Sequence, residues 1–304
     1  MRKLLANLYH SRWVQYPQDR IFDLFDIQFK FRKVNTEKIK LFWARSVPNF
    51  GDELSFDTVS RMTSLPVFAA NPAECNMIAI GSIYPWLKYS VKRRFNNVNI
   101  WGSGALNTSG YLKVDRGFQV HLVRGPLTAK AMHASTDVPF GDPGILANEV
   151  YEIVRNKSAK NIGLVLHMNQ ISSISHYELE ALSKHFTIID VRTKNAKSIV
   201  ERISECSHVV SSSLHGIIVA DSLGVPNARL HFDQIDPFKF LDYSEGVGRS
   251  LHCFSDLEDL MKNLKVDRNF SCLSDERTSQ VKYNVVKAFP FERGRLLPIE
   301  LPSH

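Results

Sequence analysis

From Lys40 onward, short runs rich in β-branched and aromatic residues alternate with longer segments whose apolar positions recur at helical spacing. KIKLFWARS, NMIAIGS, VNIWGSG and QVHLVRG are the strand candidates of the first half, and ELSFDTVSRMT and PLTAKAMHA have helical character. The alternation restarts with NIGLVLH and runs through HYELEALSKHF, TIIDVRT, AKSIVERISEC, HVVSSS, LHGIIVADSLG and NARLHF. Such a series predicts parallel sheets layered with helices, an α/β fold. The polar stretch VRNKSAKN, Val154 to Asn161, separates the two series and is the candidate linker. The expected organisation is two Rossmann-like domains facing a cleft, residues 1–153 and 154–304. DLEDLMKNL and ERTSQVKYNVVKAF read as C-terminal helices, the second a candidate to cross back to the first domain.

A chain of 304 residues with 44% hydrophobic content can bury two cores of ordinary size. No run approaches the ~20 apolar residues of a membrane span, and MRKLLANLYHSRW lacks the apolar centre of a signal peptide, so the expected location is cytoplasmic. Cys75, Cys206, Cys253 and Cys272 are scattered without a CxxC pair and read as buried thiols; no metal site and no obligatory cofactor is expected. Lys and Arg outnumber Asp and Glu by 38 to 31, a net charge of +7 that favours anionic partners. Nucleic acid is disfavoured among these, because no zinc-finger, RNP or Arg-rich motif accompanies the charge. The basic run KYSVKRR, Lys88 to Arg94, reads as a solvated face. Together with the tryptophan-bearing start it also suits weak contact with an anionic membrane, at whose cytosolic side a lipid-linked acceptor would be met.

Four segments carry candidate chemistry, each where a strand gives way to a helix and so on the lip of the expected cleft. In SSSLHGIIVADSLGVP, Ser211 to Pro226, the residues Ser213, Leu214 and His215 open a helix whose amino end can bind an anion. A histidine there can donate to that anion or move a proton; the same pattern is also met by a serine N-cap with a packing histidine. SVPNFGDELS places Asn49, Gly51 and Asp52 on the opposite lip, with Asp52 either a base toward a hydroxyl or an N-cap. WGSGAL offers Ser103 and Gly104 for close approach of an acceptor but lacks a full dinucleotide fingerprint. In VRGPLTAKAM, Arg124 presents a planar fork suited to carboxylate or phosphate, or else forms a surface salt bridge. GDPGIL reads as a structural turn on the same rim.

NFGDEL, GSGAL, VRGP, GDPGIL and SSLHGIIVADSLGVP, in this order, resemble the polysaccharide pyruvyl transferase family over roughly Phe42 to Arg249. FKFLDYSEGVGR further resembles the branch acting in bacterial exopolysaccharide synthesis. The resemblance implies a glycosyltransferase-B-like fold and transfer of the pyruvyl group of phosphoenolpyruvate to a sugar, commonly as a ketal. It also implies that Arg124 binds the donor and that Leu214 and His215 are the last two members of an Arg-Leu-His donor motif. Ser213 stands where that motif has arginine, and Lys239, Arg249 or Arg229 are the candidates to replace its charge. On this reading His215 is the candidate acid and Asp52 the candidate base, with the split of the two roles left open, and Asn49, Gly51, Ser103 and Gly104 line the acceptor side. The competing readings are a nucleotide-sugar glycosyltransferase on the same architecture and a noncatalytic paralogue.

Overall fold

Short β-branched and aromatic runs can be buried on both faces only if neighbouring strands satisfy their backbone groups, and parallel ladders do so here throughout. In a computed structural model, which describes residues 37–88, 97–107, 117–264 and 267–294, these runs form two five-stranded sheets among the described residues. The first sheet comprises β1 (Ile39–Phe42), β2 (Val67–Ala69), β3 (Met77–Ile78), β4 (Val98–Trp101) and β5 (Phe118–Leu122), in the order β2-β1-β3-β4-β5. The second comprises β6 (Ile162–Leu166), β7 (Thr187–Asp190), β8 (His208–Ser211), β9 (Asn227–Leu230) and β10 (Cys253–Phe254), in the order β10-β9-β8-β6-β7. Every pair in both ladders is parallel. Counted from its own first strand, the second sheet repeats the order of the first. This is the doubly wound arrangement in which strand order reverses beside the first strand.

The helices follow from local chemistry. α1 (Phe50–Met62) starts at Asn49, whose side chain accepts from the Gly51 amide, so Asn49 rather than Asp52 is its N-cap. Also in the first half are α2 (Tyr84–Lys88), α3 (Pro126–Met132) and α4 (Ala147–Tyr151). In the second half come α5 (Met168–Ser173), α6 (His176–Ser183), α7 (Ala196–Ser204) and α8 (Leu214–Ser222). α9 (Phe238–Val247), α10 (Leu257–Asn263) and α11 (Asp275–Lys287) complete them. α7 is amphipathic and buries Ala196, Ile199, Val200 and Ile203, one stripe at helical spacing. α8 is apolar all round, as a helix enclosed on every side must be.

That enclosure ties the sheets together. Leu214, Ile217 and Ile218 of α8 share a core with Ile39, Leu41 and Trp101 of the first sheet and with Phe240 and Tyr243 of α9. α11, though last in sequence, packs on the first sheet: Val281 and Val285 join this core, and the buried Trp101 indole donates to the Val285 carbonyl at 2.9 Å. Lys282 fixes the same helix to α4 and α8, donating to Asn148 Oδ1 at 2.7 Å, Glu149 Oε1 at 2.8 Å and the Ser222 carbonyl at 3.1 Å.

Six elements are not anticipated by the hydrophobic pattern: β2, whose central Phe68 is exposed, the two-residue β10, and the helices α2, α4, α5 and α9. The cysteines also divide. Cys75 and Cys206 are buried, whereas Cys253 on the edge strand is exposed and Cys272 is half-buried, so burial of all four is corrected. MRKLLANLYHSRW and the basic run after Lys88 lie outside the described residues. No described helix is long and apolar enough to cross a membrane.

At the carboxyl end of α8 the fully buried Asp221 accepts from Tyr243 Oη at 2.9 Å and Asn227 Nδ2 at 2.8 Å, and pairs with Arg249. Arg249 Nη2 also donates to the carbonyl and hydroxyl of Ser271, both at 3.0 Å. Truncating Arg249 leaves a buried carboxylate without its cation. Arg249→Ala is therefore expected to lose about 3–5 kcal/mol of stability in urea denaturation, while Asp221→Asn combined with Arg249→Met recovers most of it.

Candidate active site

The segments that follow β1, β3, β4 and β5 meet those that follow β6, β8 and β9, so the carboxyl edges of both sheets contribute to one polar cluster. The closest approach is at Gly51, where any Cβ would overlap the imidazole of His215. Glycine is required there because the ring lies flat against its backbone. The amide of Phe50 donates to the Val191 carbonyl just beyond β7 at 3.0 Å, which locks the start of α1 to the second sheet. Ser55 anchors the same helix to the loop after β3 through the Ile80 amide at 2.9 Å.

Asp52, third residue of α1, lies beside Gly81, whose hypothetical Cβ would stand 3.4 Å from Oδ1. Burial, reinforced by Glu53 and opposed by Lys239, pushes its carboxyl up to about 7. His215 responds in the opposite sense: burial, then the charges of Lys239 and Arg124, pull it down to about 3, so the ring is neutral. Its Nε2 is buried without a hydrogen-bond partner, and its ring meets Phe50 edge-on at 6.5 Å. Lys239, on α9, is brought down to about 8 by burial and by Arg124, with Asp52 opposing.

Arg124 leaves β5 with its guanidinium fully enclosed. It donates from Nε to Asp242 Oδ2 at 2.9 Å, from Nη1 to Ser82 Oγ at 3.0 Å and from Nη2 to the Ala105 carbonyl at 2.6 Å. Gly104 is the second position where a side chain cannot be accommodated, because a Cβ would overlap that guanidinium. The surface salt bridge open to Arg124 in the sequence is thus a buried pair with α9. Ser103 braces the loop beneath, its hydroxyl donating to the Gly81 carbonyl at 2.7 Å. GDPGIL forms a buried turn in which Asp142 Oδ1 accepts from the Gly144 amide at 2.9 Å; burial raises the Asp142 carboxyl to about 6.

Ser213 is the N-cap of α8 by position, yet its side chain makes no capping bond. Leu214 turns into the shared core and stays outside the polar cluster. Arg249 sits near the opposite end of α8, six residues or ~9 Å along the axis from His215, and is committed to Asp221. The structure therefore gathers Gly51, Asp52, Gly104, Arg124, His215 and Lys239, and places Arg249 apart.

Two neighbours are missing from the sequence expectation. His167 follows β6, its amide donating to Ser212 Oγ at 2.8 Å, and burial with the charge of Lys239 brings its imidazole down to about 3. Asp242 holds Arg124. His167 has a legible signal, since it ends the run NIGLVLH at the carboxyl edge of a parallel strand. The surface depression lined by Asn161, Thr187 and Glu201 lies at the other, amino-terminal edge of the second sheet and brings none of these groups together.

The sequence profile of the polysaccharide pyruvyl transferases matches residues 11–230 of the 304. The chain belongs to the polysaccharide pyruvyl transferase family. That match takes in Asp52, Arg124, His167 and His215 and ends before α9, which brings Lys239 and Asp242. Among curated relatives, the succinoglycan biosynthesis protein ExoV of Rhizobium meliloti is 24% identical over 210 residues, 68% of this chain and 64% of that protein. An uncharacterized protein of Acanthamoeba polyphaga mimivirus is 30% identical over 176 residues, 55% of this chain and 61% of the viral protein. The chain thus spans less than two thirds of either relative. No solved structure matches it.

The Asp52 carboxyl gives a measurable signature. Its folded value near 7 exceeds the 3.8 of an unperturbed aspartate, so the stability it carries is present below 3.8, declines above it and is gone beyond about 7. Asp52→Asn abolishes that decline. Urea denaturation at pH 5 and pH 8 is expected to show the variant gaining about 2 kcal/mol on the wild type between the two, after allowance for partial solvent screening.

Proposed function

We propose that the protein transfers the pyruvyl group of phosphoenolpyruvate to two hydroxyls of a sugar, forming a pyruvate ketal on an exopolysaccharide or its lipid-linked precursor. The observation that carries this reading is the meeting of a near-neutral acid, a neutral imidazole and a lysine where the carboxyl edges of two parallel sheets converge, in a chain of this family. The arrangement fits a cleft of glycosyltransferase-B type, with the donor held on the side of the second sheet.

The chemistry asks for one proton on the methylene carbon, removal of two hydroxyl protons and departure of phosphate. Asp52, half protonated near pH 7, is the suited acid: it delivers its proton to the methylene carbon, and the central carbon gains cationic character. The neutral His215 accepts the proton of the attacking hydroxyl. When phosphate leaves, the second hydroxyl closes the ketal and its proton departs with the phosphate; the proton taken by His215 returns to Asp52 through solvent, so charge and atoms balance over the cycle. This exchanges the candidate roles of the two residues, because burial raises the carboxyl and depresses the imidazole. Lys239 and the uncapped amino end of α8 are the donor's anion partners. Arg124 contributes its charge from behind Gly104 and fixes the loops on which the acceptor rests.

The test is incubation with phosphoenolpyruvate and an oligosaccharide acceptor, with phosphate release and ketal formation as readouts. Release of nucleotide from a nucleotide sugar, with none of phosphate from phosphoenolpyruvate, overturns the reading. Within it, His215→Gln is expected to lower turnover about 10²- to 10⁴-fold with less than about tenfold change in donor affinity by calorimetry. Turnover should fall as pH rises through about 7, following loss of the Asp52 proton.

A further inference from the structure

Arg229 is 7% exposed, and both its Nε and its Nη2 are buried without a hydrogen-bond partner. Guanidinium donors removed from water and left unpaired cost free energy, and a folded chain keeps them where something else completes them. Nothing in the fold demands this one. The backbone of Arg229 is fixed by β9, with its amide donating to the His252 carbonyl at 2.8 Å, so the strand does not need the side chain. The groups that favour its charge are the thiol of Cys253, opposite it in the β9–β10 ladder, and the exposed Asp236, which accepts from the Phe238 amide at 2.8 Å; neither hydrogen-bonds its buried Nε or Nη2.

Position gives the vacancy a direction. Arg229 stands directly opposite Ser211 in the β8–β9 ladder, so the two side chains share a face of the sheet. Ser211 on that face accepts the Ser213 amide at 3.0 Å and lies against Gly216, which places the face at the start of α8. The Arg229 guanidinium lies 4.4 Å from the centroid of the Phe240 ring, and the Lys239 ammonium lies 5.5 Å from the same centroid. Two cations over one ring, close enough that Arg229 disfavours the charge on Lys239, form a positive pair that no carboxylate neutralises by a direct bond among the described residues.

We propose that Arg229, paired with Lys239 over Phe240, is a binding residue for an oxyanion of the donor, and that it stands in for a cation at position 213, where this chain has serine. The proposal rests on the phosphoenolpyruvate reading for the identity of the donor. Arg229 shares a sheet face with Ser211, whose hydroxyl accepts from the Ser213 amide, and it keeps the planar fork suited to carboxylate or phosphate.

The experiment is calorimetric titration of the full chain with phosphoenolpyruvate and, separately, inorganic phosphate, on wild type, Arg229→Gln, Arg229→Lys and Arg229→Gln with Ser213→Arg. Melting temperatures without ligand are recorded alongside. Arg229→Gln is expected to weaken phosphoenolpyruvate binding about 10- to 100-fold, as when a buried anion loses one charged partner, with an unchanged or higher melting temperature. Arg229→Lys should lose less, and Ser213→Arg should restore part of the affinity lost in Arg229→Gln. Unchanged affinity in Arg229→Gln overturns the proposal, as does a lower melting temperature with no recovery by Ser213→Arg, since that marks a packing residue. If Arg229→Gln fails to fold, Arg229→Lys decides: full wild-type affinity for both anions removes the planar fork from the site. Failure of the donor reading looks different. Wild type would then bind phosphate in an Arg229-dependent way but not phosphoenolpyruvate, and the anion site would stand without that donor.

Discussion

The buried pair between Arg124 and Asp242 is the constraint on which the site depends. It joins the end of the last strand of the first sheet to α9, the helix between β9 and β10 of the second, across 118 residues of sequence. Two charges this enclosed are tolerable only if their remaining valences are filled. The Asp242 carboxylate accepts from the Thr128 amide at 2.8 Å and its hydroxyl at 2.5 Å, while Arg124 spends its other donors on Ser82 and Ala105. Gly104 and Gly125 permit the approach: a Cβ on the first would enter the guanidinium, and one on the second the Asp242 carbonyl. With α9 held there, Lys239 and Phe240 are delivered to the place where α1 and α8 meet.

The second determinant is topological. Both sheets have the strand order in which the chain reverses direction beside the first strand, and that reversal opens a gap beyond the carboxyl ends. In the first sheet the gap lies between the segments after β1 and β3, which bring Asp52 and Gly81 together. In the second it lies between those after β6 and β8, which bring His167 beside Ser212. Gly51 of the first half lies against the His215 ring of the second. α8 makes this possible because it is apolar on every side and belongs to the cores of both sheets.

Much of this is written locally. The alternation of strand-like and helical segments locates eight of the ten described strands to within a few residues, and SLHG, NFGDEL and VRGP mark the carboxyl edges at which His215, Asp52 and Arg124 appear. What the sequence does not show is pairing at a distance. Arg124 looks like a free fork until Asp242 is brought to it, and Arg249 looks like a donor ligand until Asp221, at the far end of α8, takes its charge. α9 is obscured because Pro237 and two glycines flank or interrupt FKFLDYSEGVG, although Phe238, Phe240, Tyr243 and Val247 are buried. Burial is equally invisible in side-chain type: it raises the Asp52 carboxyl to about 7 and lowers the His215 imidazole to about 3.

The electrostatics of the site also describe what it lacks. Lys239 feels Arg124 and Arg229 as well as Asp52, and its charge in turn contributes to the low proton affinity of both His167 and His215. Burial and mutual repulsion disfavour the charged forms of Lys239 and both imidazoles. Because the coupling is reciprocal, any anion that the cations favour must raise the proton affinity of the two imidazoles by the same free energy by which their protonation would strengthen its binding. An anion bound beside Lys239 would thus strengthen the lysine's charge and raise the proton affinity of His167 and His215 together.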